Sequence, residues 1–183
     1  MDKLIIFAFV SILIIIISQK SLRSPQSHGF FRFFAWECIA ALFAINIQNW
    51  FLKPFAWYQV VSWILLIASI IPLAFGIRSL IKKGKPTLQR EGEPQLLAFE
   101  KTSTLVTTGI YRHIRHPLYS SLLFLTWGIF FKDPSLAGVA LARVSSVFLF
   151  STAKADELEC LQFFGSEYQE DMHRTKRFIP LIF

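Results

Sequence analysis

Two groups of residues in this chain carry side chains suited to chemistry. One is the run Leu105-Val-Thr-Thr-Gly-Ile-Tyr-Arg-His-Ile-Arg-His-Pro-Leu-Tyr119. The other is Asp156-Glu157, then Phe164-Gly-Ser-Glu-Tyr168, then Arg177-Phe-Ile-Pro180. Tyr111 and Tyr119 offer aromatic faces, which attract a cation. Arg115, or the backbone N–H groups of the Thr107–Gly109 turn, can receive a carboxylate. Glu157 beside Asp156 supplies acceptors of the kind that hold a diol. No nucleophile–His–Asp constellation can be assembled from these residues. The chemistry they suit is therefore alignment of reactants with exclusion of water rather than an acid–base relay. Arg143 stands apart, the one basic residue in the middle of an apolar block, whereas Arg32 and Arg78 lie near block ends and count with the basic connections. Charge at membrane depth is costly and marks sites, so Arg143 is expected to face the pocket and hold an acidic group; nearer the surface it would snorkel.

Each of these residues also has a plainer explanation. His116-Pro117 suits the start of a helix, where the missing N–H of proline costs nothing. Arg112 and Arg115 serve equally as topology markers, Asp156-Glu157 as a solvated face, and Tyr111 and Tyr119 as interfacial anchors. His113 and His116 have the helical spacing of a metal pair, but no third ligand follows. The two cysteines, Cys38 and Cys160, show neither zinc spacing nor a disulfide framework. What sets the plainer explanations aside is that all the groups fall on one side of the expected bilayer.

That side follows from the elements that must position them. Of the 183 residues, 54% are hydrophobic and 16% aromatic, and they come in long blocks: 4–18, 30–52, 58–80, 117–131 and 134–152. A helix needs roughly 20 apolar residues to cross the hydrocarbon core. The pattern predicts an all-α integral membrane bundle of about five transmembrane helices. The first block has no small-x-small cleavage site after it and is read as a retained helix. The C-terminus, Ile-Pro-Leu-Ile-Phe, carries no lipidation box. Lys132-Asp133 alone joins the fourth and fifth blocks, which predicts a tight helical hairpin. Residues 84–94 are turn-rich and read as loop. From 153 to 175, apolar positions at Leu158, Leu161, Phe164, Tyr168 and Met172 predict an amphipathic C-terminal helix.

The net charge of +7 sits in short segments beside apolar blocks, the marking of cytoplasmic loops, and no nucleic-acid reading module is present. Basic residues crowd the first and third connections and the tail, while the other two connections carry only Lys53 and Lys132. Five spans with the N-terminus outside place every basic segment in the cytoplasm. The hairpin then returns both chemical groups to one surface. Residues 1–80 read as three scaffold helices with substrate access, and 81–183 as loop, hairpin and tail forming the catalytic region.

The pattern G-x-Y-x-x-x-R-H-P-x-Y, an acidic pair after a hairpin, F-G-x-x-Y and a closing R-F-I-P resembles the isoprenylcysteine carboxyl methyltransferase family, part of a wider group with the phospholipid methyltransferases. The resemblance covers about Leu105 to Pro180. Membrane sterol reductases share the Tyr-Arg-x-x-Arg-His-Pro stretch, but usually with Asn before the later tyrosine and an acid after it, where this chain has Leu118 and Ser120-Ser121. The resemblance implies S-adenosylmethionine as methyl donor and a lipophilic acceptor, a carboxylate or a lipid amine, arriving laterally from the bilayer. Donor contacts are then expected at Val106, Thr107, Gly109, Tyr111, His116, Tyr119, Asp156 and Glu157, with Arg115 and Tyr119 near the reacting atoms and Arg143 joining them on the strength of its charge at membrane depth. Two positions depart from the family: Ser121 where glycine is common, and Asp156 where glutamate is. A nicotinamide-dependent reductase and a non-catalytic membrane protein that keeps the fold are the competing readings.

Overall fold

A computed structural model describes residues 3–85, 96–97 and 100–180. Six α-helices follow one another: α1 Lys3–Leu22, α2 His28–Asn46, α3 Trp57–Lys83, α4 Pro117–Phe130, α5 Leu136–Phe164 and α6 Ser166–Arg174. A 3-10 turn, Ile47–Asn49, extends α2, and another, Gly109–Arg112, precedes α4. The turn-rich segment 84–94 lies almost wholly outside the described residues.

Local chemistry sets where the helices begin. The Ser27 hydroxyl accepts from the Phe30 N–H at 3.2 Å and starts α2. The Ser135 hydroxyl does the same for Gly138 at 3.1 Å and starts α5, so Pro134 lies just before the helix rather than in its first turn. Pro117 opens α4 at its first position. The expected tail helix is divided. α5 runs on from the membrane block to Phe164, and Gly165, at φ +60° and ψ −131°, turns the chain into α6. No side chain favours that backbone conformation.

The helices pack in the order α1, α2, α5, α4, α3, and α2 also touches α4. α3 approaches α4 closely because two glycines allow it. A Cβ on Gly128 would come within 2.9 Å of Leu66, and one on Gly76 within 3.2 Å of Pro117. Polar side chains tie α4 to two neighbours: the Ser62 hydroxyl of α3 donates to the Gly128 carbonyl at 2.7 Å, and Asn46 of α2 donates to that of Ile129 at 2.8 Å. In contrast, the outward faces of α1 and α3 are apolar, with Leu4, Phe9, Ile17, Ile64, Ile67 and Ile70 all more than half exposed. Such faces suit lipid, and the chain is a membrane protein.

Four helices are long and apolar enough to cross a bilayer: Lys3–Leu22, His28–Asn49, Trp57–Lys83 and Leu136–Phe164. The fifth expected span, α4, has 14 residues and measures only about 21 Å against a core of about 30 Å. Before its N-terminal end the chain is irregular apart from the 3-10 turn Gly109–Arg112. Irregular backbone at membrane depth persists only when buried in protein or lining a cavity, and here a cavity lies beside it.

At the opposite end, the α4–α5 connection is locked. The Lys132 side chain is fully buried, with its ammonium 3.4 Å from the Trp63 ring centre, 5.1 Å from that of Trp50, and 3.1 Å from Gln59 Oε1. Gln59 Nε2 donates to the Asn49 and Lys132 carbonyls, each at 2.9 Å. One ammonium thus joins α2, α3 and the hairpin loop. Lys132→Ala removes a desolvated cation–π contact and orphans a buried amide oxygen. It should destabilise the fold by about 2 kcal/mol, read as a lower melting temperature by tryptophan fluorescence in detergent. An unchanged melting temperature would mean that the lock adds nothing.

Candidate active site

The first turn of α4 gathers the site. His116 caps it and is buried; its ring stacks on that of Tyr119, with centroids 5.3 Å apart and planes at 22°. The imidazole lies between two carboxylates of α5. Nδ1 is 3.3 Å from Asp156 Oδ2, and Nε2 is 3.4 Å from Glu157 Oε1. Burial by itself depresses the imidazole, but the hydrogen bonds to Asp156 and Glu157 and their charges outweigh it, so the His116 pKa is raised.

Glu157 is 3% exposed and fully engaged. Arg115 Nε donates to Oε1 at 3.0 Å, Arg177 Nε to the same oxygen at 3.0 Å, and Arg177 Nη2 to Oε2 at 2.7 Å. Arg115 Nη1 reaches further, to the carbonyls of Met172, at 3.1 Å, and Thr175. It thereby caps the C-terminal end of α6 with a cation, the sign that end favours.

Backbone bonds close the same joint. Ile114 and Lys176 form a parallel bridge, with Arg115 N donating to Lys176 O at 2.8 Å and His116 N to Arg177 O at 3.1 Å. The Ser120 hydroxyl lies 2.8 Å from Phe178 O and 2.9 Å from His116 O. The tail motif and the Arg-His-Pro motif therefore meet as expected, through main chain as much as through charge.

Beside this joint is a cavity with about 720 Å³ of empty space, part of it open to solvent. Leu80, Leu96, Leu105, Val106, Pro117 and Leu118 form its apolar side. Glu100, Thr102, Tyr111, Arg115, His116, Tyr119, Asp156, Cys160, Tyr168 and Asp171 form the polar side, with Phe164 among them. Tyr119 is 5% exposed and hydrogen-bonds Asp156, which rules out an interfacial anchor. Burial first, then the charges of Asp156 and Glu100, raise the Tyr111 pKa well above the ordinary phenol value. Burial also raises that of Asp171, against the pull of Arg174 and Arg115.

Six of the residues singled out from sequence, Val106, Tyr111, Arg115, His116, Tyr119 and Asp156, line the cavity together. Glu157 does not; it is spent on two guanidiniums, and Asp156 is the carboxylate that faces the space. Thr107 lines a neighbouring cleft with Thr108, Arg112 and Arg174. Gly109, at φ +68°, makes the turn itself and lies against Ser79. Arg143 does not face the cavity. It is exposed and stands 13 residues before Asp156 on α5, about 20 Å along the axis. α5 begins only at Leu136, so Arg143 lies near the far end of the bundle, where a long side chain can leave the membrane.

Sequence reasoning missed several groups. Glu100 lines the cavity and pairs with Arg32 of α2 at 2.9 Å, and Arg32 is itself buried under Trp36. His28, fully buried, pairs with Glu159 at 2.7 Å. Both α2 residues lie in the N-terminal part read as scaffold. The available signal is that His28 and Arg32 are spaced i, i+4 beside an apolar block, although an arginine there also fits the basic marking of the first connection. Tyr168 stands in the F-G-x-x-Y pattern without a role read from it, Cys160 shows only the absence of zinc or disulfide spacing, and Asp171 carries no distinct signal.

The phospholipid methyltransferase family matches residues 88–179. Protein-S-isoprenylcysteine O-methyltransferase of Homo sapiens is 32% identical over 83 residues, 44% of this chain and 29% of that protein. The probable protein-S-isoprenylcysteine O-methyltransferase of Oryza sativa subsp. indica is 34% identical over 88 residues, 46% of this chain and 44% of its own length. The chain thus matches less than half the length of these relatives. No solved structure matches it.

The raised His116 pKa gives the fold a pH dependence. The imidazolium contributes stability fully below the ordinary value of 6.5 and loses it as pH rises through the raised value. Melting temperatures followed from about pH 6 to about pH 9 should fall for the wild type and fall less for His116→Gln. Parallel curves would remove His116 as the cause.

Proposed function

The chain belongs to the phospholipid methyltransferase family, and from that premise we propose that it transfers a methyl group from S-adenosylmethionine to a lipophilic acceptor entering from the bilayer. The observation that supports this reading best is the division of labour in the acidic pair: Glu157 holds the protein together and Asp156 faces the cavity. When bound, the donor supplies an electrophilic methyl group on a sulfonium. Asp156 accepts from the ribose diol, the same role for which its partner Glu157 is no longer available. Tyr111 and Tyr119 offer ring faces to the sulfonium, and the carboxylates of Glu100, Asp156 and Asp171 favour positive charge in the cavity. Arg115 is committed to Glu157, so the donor's carboxylate is left to the N–H groups near Val106.

The acceptor's apolar tail fits the Leu80–Pro117–Leu118 side, where α3 and α4 meet. An isoprenylcysteine-type carboxylate, the acceptor in the names of the relatives, needs no general base. The chain's task is then to align, to orient and to exclude water. In this reading the cavity opens at the cytoplasmic surface and the N-terminus lies outside.

Calorimetric titration of the detergent-solubilised protein with S-adenosylmethionine tests the proposal. The wild type should bind in the micromolar range, and Asp156→Asn at least about tenfold more weakly, because a charge-assisted hydrogen bond is lost. Arg143→Leu should bind like the wild type. No binding by a folded protein would overturn the donor assignment, and binding of a reduced nicotinamide instead would favour a reductase.

A further inference from the structure

α3 carries a second feature, on a face that the cavity does not use. Ile70, Leu73, Ala74, Ile77 and Ile81 line an open groove with about 780 Å³ of empty space, and the side chains of Arg78 and Lys82 flank one end of it. None of these residues borders the cavity, and Ile70 and Ile81 are more than half exposed. Residues 70 to 81 cover about 17 Å along the helix axis. That is close to the hydrocarbon depth of one leaflet, about 15 Å.

Charge is confined to the same end. From Trp57 to Lys83, α3 holds no acidic residue, and its basic residues are Arg78, Lys82 and Lys83. Lys83 is engaged, donating to Thr108 Oγ1 at 2.7 Å. Arg78 and Lys82 are exposed and have no ion-pair partner among the described residues. Their stems can lie along the groove while their charged ends reach the headgroup level. We propose that this groove holds an anionic membrane phospholipid, with one acyl chain along residues 70–81 and its phosphate at Arg78 and Lys82. Any apolar helix face accepts a lipid tail; selection comes from the two cations. A zwitterionic headgroup brings its own cation against them, whereas an anionic one does not. The site is separate from the cavity and does not depend on the methyl-transfer reading.

Native mass spectrometry tests this on the full chain in detergent with equal amounts of phosphatidylglycerol and phosphatidylcholine. The wild type should retain phosphatidylglycerol about tenfold over phosphatidylcholine. Arg78→Gln/Lys82→Gln should lose that preference. Lys20→Gln/Arg23→Gln removes as much charge from another connection and should keep it. Ala74→Phe fills the groove without changing charge and should also release phosphatidylglycerol. Glycerol phosphate, which offers the phosphate without a tail, should not compete. No preference in the wild type, or equal loss in both charge variants, would overturn the site. So would displacement by glycerol phosphate, or retention unchanged by Ala74→Phe. A dimer formed without added lipid and abolished by Ala74→Phe would give the groove to a second copy and overturn the lipid assignment.

Discussion

A carboxylate taken out of water must be compensated almost completely or it unfolds the protein around it. Glu157 is in that position at 3% exposure, and its compensation comes from three chain segments. Arg115 arrives from the loop before α4, Arg177 from the tail, and His116 from the cap of α4. None of these segments is long enough to hold itself in place. The 3-10 turn has four residues, and α6 has nine, short for independent helicity. The charge network and the bridge between Ile114 and Lys176 add to the small apolar cluster of Tyr119, Ala153 and Phe178 at this end of the molecule.

The same network decides which acid faces the cavity. Neighbouring residues on a helix point about 100° apart, so Asp156 and Glu157 cannot both face the joint. Glu157 takes the guanidiniums, and Asp156 is left with His116, Tyr119 and the cavity. Two further ion pairs carry the organisation into the bundle. Arg32–Glu100 and His28–Glu159 join α2 to the cavity wall and to α5. The first two helices are therefore not inert supports, since α2 neutralises carboxylates that would otherwise repel one another around the cavity.

Much of this was legible in the sequence. The five apolar blocks appear as five helices, because block length and the serine and proline signals at their starts are local information. The meeting of the two chemical groups followed from a hairpin too short to do anything else. Other features were not legible for physical reasons. The depth of Arg143 depends on where α5 begins, and a polar extension that continued as helix shifted the apparent centre of the span. The roles of Asp156 and Glu157 depend on a rotation that composition does not record. The break at Gly165 was hidden because the apolar positions Leu161, Phe164 and Tyr168 keep helical spacing across it. Arg32 looked like a topology marker because a buried and a snorkelling arginine look the same in one dimension.

Methyl transfer by direct displacement asks for a particular arrangement rather than a particular reactive side chain. Its rate depends on holding donor and acceptor in line in a dry space. The proposed reaction therefore suits a cavity whose titratable groups are largely occupied with one another. Arg115 is held by Glu157, His116 by both acids, and Glu100 by Arg32. Such groups form a rigid, pre-oriented set of dipoles that costs little to reorganise during reaction. The short α4 fits the same logic. A full-length span would fill the space beside His116 with apolar helix. Stopping at Pro117 leaves that space open beside Leu80 and Leu118, which in the proposed reading receive a lipid tail. An acceptor anchored in the bilayer then need not leave it to reach the polar wall. The apolar and the polar groups that the proposed reaction asks for line one cavity, with residues from α3, α4, α5 and α6.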